Sequence, residues 1–127
     1  MLMIKTNKST ILTVSGDTGL LSALKGYLHE EGYHITNTVT ANEELKEVIK
    51  EVNPGIIIVD INMPWLGGIE LSLRIRQWSS VPVIMLTTWG AKKGEVRGLD
   101  LGSSTYLTDS LSRDELLKLI EKAKSGD

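Results

Sequence analysis

Short aliphatic blocks recur about every twenty positions along the chain, and between them leucine, isoleucine and valine return at helical spacing. The blocks fall at residues 11–14, 35–39, 56–59 and 81–86, with a shorter one at Thr105–Leu107. Ile56-Ile57-Ile58-Val59 is apolar without a break, which predicts a strand buried on both faces at the centre of a parallel sheet. Leu20, Leu21, Leu24 and Leu28 give the first intervening segment a helical stripe. Leu45, Val48, Ile49 and Val52 do the same for the second, Leu71, Ile75 and Trp78 for the third, and Leu116, Leu119, Ile120 and Ala123 for the last. Residues 91–101 make a weaker fourth helical pattern, interrupted by Gly94 and Gly98. Thr40-x-x-Glu43 and Ser112-x-x-Glu115 have the form of capping boxes. Five strand–helix units with short connections predict an α/β fold with a doubly wound parallel sheet.

In such a sheet the loops after the first, third, fourth and fifth strands converge on one end, where open α/β sheets bind ligands. Those loops hold residues 15–19, 60–68, 87–90 and 108–110, and bring together Ser15, Asp17, Asp60, Thr87, Thr88, Trp65, Trp89 and Asp109. Asp60 stands at the end of the most apolar strand, where a carboxylate is costly for folding and open to chemistry.

Composition narrows the classes. At 127 residues the chain is read as one domain, its core at about 11–122, with 1–9 and 124–127 poorly structured. A 41% hydrophobic content and a formal charge of −2 argue against disorder and against a nucleic-acid surface. Lys92, Lys93 and Arg97 are only a small basic cluster. The absence of cysteine excludes disulfides and thiolate metal sites. No apolar run approaches a membrane span and the first residues lack a signal-peptide core, so a cytoplasmic location is expected. His29 and His34 fall at the other end of the predicted sheet from Asp60, which places them outside any acid–base site.

Four ordered segments carry a resemblance: "IIIVDINMPWLGG" around Asp60, Val83 to Thr87, "VRGLDLGSSTYLT", and "LSRDELL" opening the last helix. Over about residues 11–122 the chain resembles a response regulator receiver domain, most closely the receivers that precede winged-helix output domains. The resemblance implies a flavodoxin-like (βα)5 fold with strand order 2-1-3-4-5. It implies that Asp60 corresponds to the phosphoacceptor, Thr87 to the switch hydroxyl, Tyr106 to the switch aromatic and the Asn62 carbonyl to a metal ligand.

The chain departs from that pattern at the chemistry. Two acids that would hold Mg²⁺ are replaced by Ser15 and Gly16, and the lysine position holds Asp109. Mg²⁺ needs one or two carboxylates beside its waters, so Asp60 alone is a poor site. Asp17 is read first as the cap of the first helix and second as a stand-in metal ligand. Two unit charges about 4 Å apart interact by about 4 kcal/mol at an effective dielectric of about 20. At that range Asp109 would repel a phosphoryl group that a lysine would attract.

The expectation is an atypical, non-enzymatic receiver of two-component signalling. It has no catalytic residue and no resident cofactor, Mg²⁺ being weak at best, and it acts through contacts with a histidine kinase or an effector. Trp65 and Trp89 are candidates for the partner surface, or for a lid over the site. Glu95 and Glu115 place like charges on the subfamily's usual dimer face, and Leu119 stands where a basic residue is frequent, which predicts a monomer or weak homodimer. Two alternatives stay open. One is a phosphorylatable receiver using Asp17 and Asp60 with Mg²⁺. The other is a small-anion or flavin mononucleotide binder at the loop Ser15 to Gly19, a hydroxyl- and Gly-rich turn into a helix.

Overall fold

The apolar run at 56–59 forms the heart of strand β3 (Pro54–Asp60), in which every side chain from Ile56 to Asp60 is buried. The computed structural model describes residues 7–40, 42–61, 68–88, 95–101, 105–107 and 110–125. Strand β1 (Asn7–Val14) lies between β2 (His34–Thr38) and β3, and β4 (Val83–Thr87) flanks β3 on its other side, all parallel. Helices α1 (Thr18–Leu28), α2 (Glu44–Val52), α3 (Gly68–Trp78) and α4 (Arg113–Ser125) cover the sheet.

Alternation along the central strands sorts the core into two layers. Ile56 and Ile58 pack with Leu20, Leu24 and Leu28 of α1 and Leu116 and Ile120 of α4. Ile57 and Val59 face the other way, onto Leu45 and Ile49 of α2 and Leu71 and Ile75 of α3. The sheet is therefore doubly wound, as expected, and the parallel part has the order 2-1-3-4.

Beyond β4 the order continues to β5 (Arg97–Leu101) and then β6 (Thr105–Leu107). The order 2-1-3-4-5 and the mostly parallel sheet agree with expectation, but the far edge differs from five parallel strands. Strand β5 runs antiparallel to β4, β6 antiparallel to β5, and Thr105–Leu107 is thereby the sixth strand. The stretch read as a weak fourth helix contributes β5 at 97–101, while residues 91–94 lie outside the described residues. Gly98 disfavours a helix interior. With Val96 buried in the α1–α4 layer and Leu99 packed against the α2–α3 layer, the segment presents apolar groups to opposite faces, as a strand does.

Helix ends follow local chemistry. The box at the start of α4 forms as predicted: the Ser112 N–H donates to Glu115 Oε1 (2.9 Å) and the Glu115 N–H to Ser112 Oγ (3.1 Å). The Thr40–Glu43 box does not form. The Asn42 side chain takes the Glu44 N–H instead (2.9 Å), and the Thr40 N–H donates to Thr38 Oγ1 (3.1 Å). Asn42 sits nearer the free amides of the first turn and is the better acceptor there. Asn53, left-handed at φ 50°, stops α2 one residue before Pro54. β1 begins at Asn7 and α4 runs to Ser125, so order extends past both of the expected frayed limits.

At the edge of the α1–α4 layer, Arg113 Nε donates to the Tyr27 carbonyl (3.2 Å), and its guanidinium pairs with Glu31 and, at 3.6 Å, Glu30. Tyr33 donates to Glu121 and accepts from Lys124 Nζ (3.2 Å), whose ammonium lies 4.7 Å from the ring centroid. Burial, then the Glu121 carboxylate, holds the Tyr33 phenol well above its ordinary pKa. Truncating fully buried Ile57 to alanine is expected to cost about 2–5 kcal/mol, against about 0.5 kcal/mol or less for Leu73→Ala, whose side chain is 62% exposed. Urea denaturation midpoints check both.

The Ser112 backbone N–H, then the Ser112 side chain, lowers the Glu115 carboxyl below the ordinary range. A depressed acid adds stability above its unfolded value, about 4.3, and loses it as pH falls through the folded one. Wild type is thus expected to be more stable than Glu115→Gln at neutral pH, the gap closing below about pH 4. Thermal melts of the pair across acid pH measure it.

Candidate functional site

Register builds the site. Val14 pairs with Val59, so Ser15, the next residue, comes level with Asp60, and Asp60 pairs with Leu86, which sets Thr87 one step beyond. Ser15, Asp60 and Thr87 are 1%, 2% and 2% exposed. Three of the positions that the sequence singles out are therefore neighbours at the carboxyl end of the sheet.

The Ser15 hydroxyl donates to Asp60 Oδ2 at 2.8 Å, both groups buried. The same oxygen, Ser15 Oγ, accepts the Asp17 N–H (2.9 Å), so the hydroxyl is used as donor and acceptor at once. The backbone of Ser15 is tied to β2, its N–H to the Thr38 carbonyl (3.1 Å) and its carbonyl to Asn37 Nδ2 (3.1 Å). Asn37 in turn accepts from Thr13 Oγ1 (2.7 Å), directly across the β1–β2 register. Among the described residues no buried side-chain oxygen or nitrogen is left without a partner.

Asp17 has the extended backbone of an N-cap (φ −91°, ψ 106°), and its Oδ1 accepts from the N–H groups of Gly19 (2.8 Å) and Leu20 (3.3 Å). Its other oxygen accepts from Thr88 Oγ1 (2.9 Å), on the segment after β4. The cap reading of Asp17 therefore describes its geometry. The same bonds fill the Gly19 and Leu20 donors that a phosphate at this turn would need. Gly16 is exposed, and a Cβ there would meet nothing within 4 Å.

Asn62, Trp65, Trp89 and Asp109 lie outside the described residues, as does the side chain of Tyr106, whose backbone is in β6. His29 and His34 are at the opposite end of the sheet from Asp60, lining a cleft with Lys25, Gly26, Tyr33 and Ile35. Sequence reasoning placed Thr88 among the site loops without giving it a role, and missed Thr13 and Asn37. The signal for Thr13 is a polar residue within a buried strand, while Thr88 carries none beyond its place beside Thr87. Among the described residues no cluster of three or more His, Asp or Glu side chains could hold a metal ion. Nor is any helix among them long and apolar enough to cross a membrane.

The site is thus a strand-end carboxylate at the focus of a doubly wound sheet, flanked by the buried hydroxyls of Ser15 and Thr87. Residues 11–121 match the response regulator receiver domain, and the chain belongs to that family, a component of two-component signalling. It is 31% identical over 115 residues to the transcriptional regulatory protein ResD of Bacillus subtilis, covering 91% of this chain and 48% of that protein. It is 32% identical over 114 residues to the probable transcriptional regulator ycf29 of Cyanophora paradoxa, covering 87% and 54%. The chain thus spans about half the length of these curated relatives. The response regulator TrrA of Thermotoga maritima, solved in complex with Mg²⁺ and beryllofluoride, superimposes with a TM-score of 0.65 at 29% identity over 90% of this chain and 97% of that one.

Ser15→Ala strips a donor from buried Asp60 and an acceptor from the Asp17 N–H, with an expected cost of about 1–3 kcal/mol. Asp17→Ala is expected to cost about 0.5–2 kcal/mol through loss of the α1 cap, with Asp17→Ser recovering most of it. Urea unfolding of the three variants beside wild type checks the ranking.

Proposed function

We propose that this chain is an atypical receiver that signals through protein contacts without Mg²⁺-dependent phosphorylation of Asp60. The observation that carries the reading is the Ser15–Asp60 hydrogen bond, 2.8 Å long, at a position where the family uses a metal-binding acid. A hydroxyl donates its proton to the carboxylate and brings no negative charge, so it supplies neither the anionic ligand nor the electrostatics that a hard dication requires. Asp17, the remaining acid on that loop, already has its two oxygens engaged by the α1 amides and by Thr88. To ligate a metal it would give up a helix cap. Phosphoryl transfer depends on charge neutralisation around the transferred group, and Asp109 at the lysine position changes the sign of one contributor. The donor set does not fit Mg²⁺.

The role proposed is non-catalytic and cytoplasmic, with a histidine kinase or a downstream effector as partner, Trp65 and Trp89 as the contact surface, and a monomeric or weakly dimeric state. The acids expected to oppose dimerisation have intrachain contacts: Glu95 accepts from Ser110 Oγ (2.8 Å) and Glu115 closes the α4 box. Thr87 and Tyr106 remain switch positions in this reading, without a phosphoryl group to respond to.

Thermal melts with Mg²⁺, and with Mg²⁺ plus beryllofluoride, test the proposal. A ligand at about 100 times its Kd stabilises the folded state by about 2.7 kcal/mol, and no such shift is expected here. A saturable stabilisation that disappears in Asp60→Asn would restore the phosphorylatable reading. A saturable shift with flavin mononucleotide alone would favour the anion-binding one.

A further inference from the structure

Strand β2 ends the sheet: among the described residues it pairs with β1 and has no strand on its other side. The Ser15 N–H donates to the Thr38 carbonyl (3.1 Å), which fixes the direction of the backbone groups along β2. Alternation turns Thr36 and Thr38 toward β1 and turns the N–H and C=O groups of Ile35 and Asn37 outward. Such an edge is ordinarily blunted by charged side chains, proline or a bulge. The strand His34 to Thr38 includes no Lys, Arg, Asp, Glu or Pro, and its register with β1 is unbroken. On the α1 side it borders an open cleft of about 610 Å³ lined by Lys25, His29, Glu30, Tyr33, His34 and Ile35. Just past the strand, Val39 is 52% exposed, one of two large hydrophobic side chains so exposed among the described residues.

We infer that the β2 edge docks a second copy of this chain, the two β2 strands running antiparallel about a twofold axis so that two sheets become one. The outward groups of Ile35 and Asn37 supply the backbone hydrogen bonds. Tyr33 and Ile35 pack against the α1–α4 layer, and alternation puts Asn37 and Val39 on that same face. A pairing centred on Thr36 sets Val39 opposite the partner's Tyr33, and one centred on Asn37 sets it opposite the partner's Ile35. Both registers thus cover the exposed Val39 side chain with an aromatic or aliphatic neighbour. Charge selects a copy over a strongly acidic or basic segment. The strand has no carboxylate, ammonium or guanidinium, and the cleft sets Lys25 against Glu30, which also lies 3.6 Å from Arg113. A surface of balanced charge suits a contact with itself. So short an edge buries little area, which makes the dimer weak and concentration-dependent. The inference gives a form to the weakly dimeric state proposed above, and rests on β2 rather than on the loops around Asp60.

Sedimentation equilibrium and amide hydrogen exchange on the 127-residue chain, without Mg²⁺ or a phosphoryl mimic, test it from micromolar to millimolar concentration. A monomer–dimer equilibrium is expected, with exchange at Ile35 and Asn37 slowing as the dimer fills. The inward amides of Thr36 and Thr38 are expected to be slow throughout. Val39→Lys puts a charge at an exposed position of the edge and is expected to raise the dimer Kd at least about tenfold. Its melting temperature at monomer concentrations is expected to match wild type, and Val39→Ile is expected to dimerise as wild type does. A chain that stays monomeric to millimolar concentration overturns the inference and leaves the edge to a different protein. Dimers in which Ile35 and Asn37 exchange at the monomer rate overturn it too, since the copy then docks elsewhere. Protection of those two amides at every concentration does the same, because another segment of the chain then covers the edge. A folded Val39→Lys that dimerises like wild type is equally fatal. None of these outcomes changes the beryllofluoride melts, which decide the proposed function separately.

Discussion

A carboxylate buried at the end of a strand that is covered on both faces persists only where donors are aimed at it. At Asp60 one of those donors is the Ser15 hydroxyl, and the arrangement at this end of the sheet follows from it. Placing Ser15 beside Asp60 requires β1 and β3 to be parallel with Val14 level with Val59. A slip of one residue would turn Ile11, Leu12, Ile57 and Ile58 to the wrong layers as well as separate the pair. The polar contact and the two apolar layers therefore specify the same register.

From Ser15 the polar contacts run outward in both directions. Toward β2 they pass through Asn37 to Thr13, and toward α1 through the Asp17 amide to the helix cap and Thr88. Hydroxyls and amides link the two carboxylates, Asp60 and Asp17, along this path. A group of carboxylates repels itself unless a cation neutralises it, whereas a hydroxyl is donor and acceptor together and closes the network internally. Ser15 brings no charge to this end of the sheet, and its hydroxyl links Asp60 to the Asp17 amide.

The edge beyond β4 contrasts with the centre. β3 is hydrogen-bonded on both sides and packed on both faces, while β5 shares two positions with β4 and its other side carries β6. Stability is graded across such a sheet. Thr87, Tyr106 and Glu95 lie on this side of the sheet, beyond the Ile-rich central strand.

Much of this was legible in the chain itself. Uninterrupted Ile56-Ile57-Ile58-Val59 announces a central parallel strand, the leucine stripes announce α1 and α4, and Ser112-x-x-Glu115 caps α4, because each signal depends on residues a few positions apart. The place of Asp60 at the buried end of that strand was legible for the same reason. Tertiary structure decided the rest. Asn42 outcompeted Thr40 at the start of α2, and residues 97–101 became an antiparallel strand once the end of β4 offered them unpaired backbone groups. Ser15 meets Asp60 across 45 residues and Asp17 meets Thr88 across 71, contacts that exist only after strand register and helix packing bring four loops together. Local propensity is written in neighbouring residues, but a hydrogen bond between distant loops depends on every element that lies between them.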